Sequence, residues 1–404
     1  MRRLIGPLLT LLLLLPSAGA RAHDPSAYGG LFRSRNFGDT WLNADIGLFL
    51  NAVLTVAIDP RDPNHLLMGT DTGLMSSTNG GRSWMPEAQG LILGAVFAVA
   101  FAPDGRSVLC ATPGGVFRLQ NSEWAQVRAP EGANPARAIV FTAKPDRVYL
   151  LGRDRLFESH DGGRGFNRVD EQLPNAARIS ALAAATEPQE AVLAVVDGRL
   201  MTSADGGKHW QPSAIPQPDG SEDAPVDTVT HDPAVPGRFW AAVHDRIHVS
   251  DDFGRQWRAL AGKLPEADTV VRGIAADPTA AHLVVTTHRG MYRSDNGGKN
   301  WGFMESRLPV HIEAGPLVRD PTDARTLYAA YSLMPYPEVW RAAVQGSNLL
   351  SRIDFVSLAG GVAFVLLVFI GGGMLAWWLV RLRATPPAPG RGAAYRTTPS
   401  RTHP

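Results

Sequence analysis

The sequence predicts an all-β fold, a seven-bladed β-propeller of repeated units, followed by one C-terminal transmembrane α-helix. Three observations predict it. An eight-residue box, S-x-[DN]-x-G-x-x-[WF], occurs six times, starting at Ser34, Ser77, Ser159, Ser203, Ser250 and Ser294. Apolar runs that end at a proline, such as Val56-Ala57-Ile58-Asp59-Pro60, place those prolines at 60, 103, 145, 188, 233, 278 and 321, in steps of 43, 42, 43, 45, 45 and 43 residues. Four short strand-like segments in about 40 to 45 residues is the period of a propeller blade. Finally, Phe355 to Val380 carries no charged residue over 26 positions, long enough at 1.5 Å per residue to cross a hydrocarbon core of about 30 Å.

In chain order, residues 1–22 read as a signal peptide. Met1-Arg2-Arg3 is a basic start, Leu4 to Leu15 is the apolar centre, and both Ala18-Gly19-Ala20 and Ala20-Arg21-Ala22 fit a small-residue cleavage site. Residues 28–345 hold the propeller. In its first unit Leu54 to Ile58 suits a strand buried on both faces, Asp59 to Asn64 a turn, His65 to Gly69 and Gly73 to Ser77 two more strands, and the box turns the chain into a fourth at Trp84. The box residues suit a hairpin. Asn36, Asn79, Asp161, Asp205, Asp252 and Asn296 can bond back to the turn's own backbone, glycine accepts positive φ, and the aromatic fills the gap beneath.

Two units depart from the rule. The second keeps only Asn121-Ser122-Glu123-Trp124 where a box should stand, which shortens its turn. The last, around Pro321, has strand-like Thr326 to Tyr331 and Val339-Trp340-Arg341 but no box, while the chain begins with a box that lacks an inner strand. The N-terminal segment is therefore expected to supply the outer strand of the last blade and remove the open edge of the ring. Beyond Phe355 to Val380, arginines at 381, 383, 391, 396 and 401 place the C-terminus in the cytoplasm by the positive-inside rule, with Trp377 and Trp378 at that interface. Residues 381–404 are a basic tail with too few apolar residues to fold alone.

A net charge of +1 offers no basic excess for nucleic acid. One cysteine, Cys110 in an apolar run, excludes an intrachain disulfide. The eleven histidines form no cluster with ligand spacing, so no metal or cofactor is expected.

The boxes resemble the Asp-box, or BNR, repeats of sialidases, sortilin-type receptors and certain glucanases. A single ring with lead-ins such as Gly73-Leu74-Met75-Ser76-Ser77 and D-P beats is most similar to the Ycf48/HCF136 photosystem II assembly factor family, over roughly Tyr28 to Ala343. That resemblance implies a non-catalytic protein-binding role. The sialidase resemblance would bring an Arg-Ile-Pro motif, an arginine trio and a tyrosine nucleophile beside an acid. No Arg-Ile-Pro occurs, and Tyr149, Tyr292 and Tyr328 lie in strand-like segments. Glucanases of this kind use paired carboxylates between two propellers, and this chain has length for one.

Aligning units on their prolines places Arg137, Arg178, Arg272, Asp227, His311 and Glu313 at the starts of inner strands, around the mouth of the central channel. Arginines from three blades would converge only in a ring, where they could bind a partner's carboxylates or phosphates. The alternative is that Asp227 and Glu313 simply pair with them as solvated charges. The sequence thus leads to a single-pass protein of the cytoplasmic membrane with its propeller in the periplasm or outside, binding a protein partner, a membrane protein or complex, as a scaffold or assembly factor. The alternative is a glycan-binding or glycoside-hydrolysing propeller.

Overall fold

The computed structural model describes residues 29–345, save 49, 175, 176, 186, 217–223, 307, 310 and 311, together with residues 368–379. The strands of the first group make seven four-stranded antiparallel sheets. In blade one the strands are Val53–Asp59, Asp62–Thr70, Leu74–Ser77 and Met85–Pro86, in that order from the inside outward. Each inner strand packs against the inner strand of the next blade, and that of blade seven returns to that of blade one. The seven-bladed ring is therefore closed.

Alternation builds the spaces between blades, because successive side chains of a strand point to opposite faces. Leu193 and Val195 face blade five, with Phe239, Ala241 and Val243, while Val192 and Ala194 face blade three, with Tyr149 and Leu151. Both faces of a blade are buried, which is why its first two strands read as continuous apolar runs.

Closure involves two strands where the sequence suggested one. Gly30–Ser34 is the third strand of blade seven and Leu42–Asn43 its outer strand, completing the sheet begun by Glu313–Arg319 and Leu327–Ser332. The register runs from Gly30 opposite Tyr331 to Ser34 opposite Leu327. Leu31 enters the cluster shared with blade one and Phe32 the cluster shared with blade six.

With both outer positions filled, Val339-Trp340-Arg341 cannot add a strand. It lies instead in helix α1 (Tyr336–Val344), which has Pro337 in its first turn, Glu338 near its start and Arg341 near its end, all favourable at those termini. Val339 and Trp340 are buried against Ala52, Leu54 and Phe97.

The six boxes share one hydrogen-bonded cage. In each, the serine hydroxyl donates to the Asp or Asn Oδ1 at 2.7–3.0 Å and accepts the amide of the fifth-position glycine at 2.8–2.9 Å. The same Oδ1 accepts the seventh-position amide at 2.9–3.0 Å. That fifth glycine holds φ between 75° and 91°. A side chain there would also meet the preceding blade, since a Cβ on Gly254 would stand 2.5 Å from Leu193. Trp84 and Trp210 donate their indole N–H to the carbonyls of Ala44 and Val169, also in the preceding blade. The box is thus a fastener between blades as well as a turn.

Blade two replaces it with a two-residue turn. Asn121 and Ser122 both take positive φ, 53° and 66°, the requirement of the tight hairpin turn whose twist matches its strands. The outer strand, Glu123–Val127, is longer than in the other blades.

Residues 368–379 are helical and exposed. Among the described residues no helix is long and apolar enough to cross a membrane. The expected signal peptide, most of the expected span at 355–380 and the tail at 381–404 lie outside the described residues.

Candidate functional site: the mouth of the central channel

An up-and-down meander sends alternate connections to opposite faces of the ring. One face carries the boxes and the Asp-Pro turns. The other carries the starts of the inner strands, the links from each outer strand to the next blade, and the hairpins between second and third strands. Box acids and channel-mouth residues therefore occupy opposite faces, and only the second group can converge.

At that mouth lies a cavity of about 340 Å³, lined by residues of all seven inner strands and by Tyr336 of α1. Four of the six expected residues line it: Arg137, Asp227, Arg272 and Glu313. Arg178 does not line the cavity and its side chain is exposed. It is near enough to Arg137 for the two to repel. His311 lies outside the described residues.

The expectation of simple solvated charges fails for Arg137, Glu313 and Asp227. Arg137 has its guanidinium carbon 4.4 Å from the centre of the Trp340 ring, a cation–π geometry. Its Nη1 donates to the Ile179 carbonyl at 3.3 Å, and its Nε is buried without a hydrogen-bond partner. Burial lowers its pKa, as does Arg178, while Tyr336 and Asp154 oppose the shift. Glu313 is the second case. Its side chain is only 8% exposed, and Arg272 Nε stands 3.2 Å from its Oε1. Burial raises the Glu313 pKa, Arg272 lowers it, and Glu338 of α1 raises it again. Asp227 accepts the Val271 amide at 3.1 Å. Burial lifts its pKa to about 6, against the pull of that amide, His244 and Arg272.

The side chains that sequence reasoning missed belong to the roof. Phe97 meets Trp340 edge-on with ring centres 4.9 Å apart, and Tyr336 lies parallel to Trp340 at 6.4 Å. The prolines at 335 and 337 were the available signal, because they favour the start of a helix over a fourth strand.

The site offers guanidinium groups and carboxyls, and among its described residues no serine or cysteine is paired with a histidine. A tyrosine beside an acid does occur elsewhere. Tyr149 donates to Glu158 at 2.9 Å, and Glu158 in turn binds Arg147, which bridges to Glu190 of blade four. Tyr149 has no exposed surface. The group ties blade three to blade four and is closed to a sugar. Tyr292 and Tyr328 are buried as well. Among the described residues no group of three or more His, Cys, Asp or Glu is placed to hold a metal ion.

No protein-family model matches the chain. It is 33% identical over 96 residues to the photosystem II assembly lipoprotein Ycf48 of Synechococcus sp. (strain CC9902). That match spans 24% of this chain and 28% of the relative's length. A solved structure of Ycf48 bound to D1 peptide aligns with a TM-score of 0.54 at 17% identity, covering 71% of this chain and 95% of that one. Ycf48 from Cyanidioschyzon merolae aligns at 0.55 and 14% identity, covering 70% and 97%. The GH74 xyloglucanase of Xanthomonas campestris aligns at 0.53 and 20% identity, over 71% of this chain and 54% of the enzyme. These structures share the propeller fold across different functions, so they speak to architecture. The chain is a seven-bladed propeller similar to Ycf48, in fold along most of its ring and in sequence over a quarter of its length.

Proposed function

We propose that this chain is a non-catalytic, protein-binding propeller that serves as a scaffold or assembly factor for a membrane complex. The observation that carries the reading is the channel mouth. Ionisable groups from blades three, four, five, six and seven gather at one end of the ring, with Glu313 buried beside Arg272 and Arg137 half-buried against Trp340. A fixed pattern of guanidinium and carboxyl groups suits recognition of a partner's charged segment. The similarity to Ycf48, one form of which has been solved with D1 peptide, supports a binding role and a peptide as the kind of ligand.

The chain is further proposed to be anchored in the cytoplasmic membrane by Phe355 to Val380, with the propeller outside and the arginine-rich tail inside. The support is the uncharged run and the arginines that follow it. A glycan-active propeller is the second reading, and the fold shared with a xyloglucanase keeps it in view. Against it, the tyrosine and acid pair of blade three is sealed in the core.

The test is capture of partners by the tagged chain from detergent-solubilised membranes, in rising salt, with Arg178→Glu as the variant. Arg178 is exposed, so its reversal should leave the fold unchanged, whereas alanine at Arg272 would strand the buried Glu313. Capture of a discrete membrane-protein partner that weakens with salt and with the variant is expected. Hydrolysis of sialosides or xyloglucan by the purified chain, or capture indifferent to both changes, would overturn the proposal.

A further inference from the structure

Large apolar side chains are left exposed in one sector of the propeller. Among its described residues they are Leu42, Ile46, Met85, Leu91, Leu93, Leu333 and Met334. All belong to blades seven and one and to the link between blades one and two, and the long stretch from Gly94 to Ser332 contributes none. Ile46 and Leu93 are the most exposed on the channel-mouth face, at 71% and 65%. Leu333 and Met334 are held beside the link that carries Ile46, because both their amides donate to the Asn51 carbonyl at 2.9 and 3.2 Å. Leu42 and Met85 stand on the outer strands of the same two blades.

Elsewhere on the channel-mouth face the described residues include exposed charges. Its hairpins and links carry Arg153 and Asp154 in blade three, and Lys263, Glu266 and Arg289 around blades five and six, all exposed. Among the described residues one rim of that face is thus apolar and charge lies elsewhere on it, and an apolar sector of this kind marks an interaction surface.

Chain length identifies the occupant. Helix α1 packs on Ala52, Leu54 and Phe97, at the apolar side of the mouth. Ten residues, 345–354, separate its end from the start of the uncharged run at Phe355, and ten extended residues reach at most about 36 Å. Given the anchor proposed above, on which this step rests, the channel-mouth face is the one tethered to the membrane. We infer that the rim of blades seven and one rests on the bilayer surface, with Ile46, Leu91, Leu93, Leu333 and Met334 entering the interfacial region. The ring would then sit tilted, its charged rim raised into water and open to a partner.

The experiment uses the full chain in phosphatidylcholine vesicles. Single variants Ile46→Cys, Leu93→Cys, Arg153→Cys and Lys208→Cys are labelled with an environment-sensitive fluorophore. The native Cys110 has no exposed surface and should stay unlabelled in the folded protein. Arg153 marks the charged rim of the same face and Lys208 a box on the opposite face. Labels at 46 and 93 should lose fluorescence when the acyl chains carry bromine and resist iodide in the water. Labels at 153 and 208 should do the reverse. Equal iodide quenching at all four positions would overturn the inference while leaving the anchor standing, provided the chain resists alkaline extraction. Protection from iodide without bromine quenching would also overturn it, since a second copy or residues 346–354 would then cover the rim. A chain that alkali strips from the vesicles would refute the anchor, and this inference with it.

Discussion

The double substitution Leu31→Ala with Phe32→Ala should destabilise the whole ring as one unit. Both side chains are essentially unexposed, at 0% and 1%. Because neighbours on a strand face opposite ways, each removal opens a different interface. Leu31 leaves the cluster with Val53, Leu66 and Tyr328 towards blade one, and Phe32 leaves Tyr331, whose ring it meets edge-on at 5.5 Å, towards blade six. Truncations of this kind cost about 2–5 kcal/mol for leucine and 3–5 for phenylalanine. The two side chains enter different clusters on opposite faces of the strand, and the lower bounds of the two costs sum to about 5 kcal/mol, comparable with the lower end of the 5–15 kcal/mol that holds a typical domain together. Guanidinium unfolding followed by tryptophan fluorescence should show the midpoint falling to low denaturant, in one transition. Leu42→Ala, on the same segment but 56% exposed, should stay within about 0.5 kcal/mol of the parent. The closure reasoning fails if the double variant loses less than about 1 kcal/mol. It fails also if blade seven melts separately and leaves six blades folded.

Asp205→Ala removes the acceptor of both the Ser203 hydroxyl and the His209 amide, so it should cost about 1–3 kcal/mol in the same assay, at about 0.5–1.5 for each net hydrogen bond, and should leave partner capture unchanged below the melting range. A folded Asp205→Ala chain that cannot capture its partner would move recognition to the box face. For Asp227 the sign follows from burial, which lifts its carboxyl from 3.8 to about 6. The folded chain keeps a proton there that the unfolded chain releases between about pH 4 and 6, so this group's contribution to stability is lost as pH rises through that window. Asp227→Asn should gain stability relative to the parent at pH 7 compared with pH 4.5, with a ceiling of roughly 2 kcal/mol, since about 1.5 pH units of that window, at about 1.4 kcal/mol each, lie above pH 4.5. The parallel slope from Asp45, likewise raised to about 6 by burial, should remain. Denaturant midpoints at the two pH values decide it, and a variant that gains nothing at pH 7 would show that Asp227 is solvated.

The blade repeat was legible because every blade meets the same packing problem with the same residues. Serine, Asp or Asn, and glycine recur where each cage needs an acceptor, a second acceptor and positive φ. The closure was legible in outline, since a box without an inner strand at one end matches inner strands without a box at the other. Its extent was not, because only the five-residue register of Gly30 to Ser34 on Leu327 to Tyr331 shows that two strands cross over. Val339-Trp340-Arg341 reads as strand-like in sequence but is helical, because its apolar content fits either element. The decision depended on whether the sheet edge was vacant, and that is a property of residues some 300 positions away. Arg137 follows the same logic. Its place at the start of an inner strand could be aligned, but its burial depends on a helix that the repeat does not contain. The Arg147, Tyr149 and Glu158 group left a weaker trace, a charged residue inside an otherwise apolar strand.

A repeat can encode recognition only where it departs from itself. The cages are nearly identical in six blades, so a partner reading them would find no reason to prefer one rotation of the ring over another. Apart from the missing box of blade two, the departures that break that symmetry fall on the other face. Inner-strand starts carry arginine in blades three, four and six and carboxyls in blades five and seven. Helix α1 follows the last strand and covers one side of the mouth, and the exposed apolar side chains gather around the same blades. Evolution of a binding site on this scaffold needs changes only in links and strand starts, where side chains point into the channel or the solvent and little packing is lost. Box and inner-strand interiors lack that freedom. Each is pressed against a neighbouring blade, as the 2.5 Å that would separate a Cβ on Gly254 from Leu193 shows. The same physics that keeps the ring uniform leaves the channel-mouth face freer to vary.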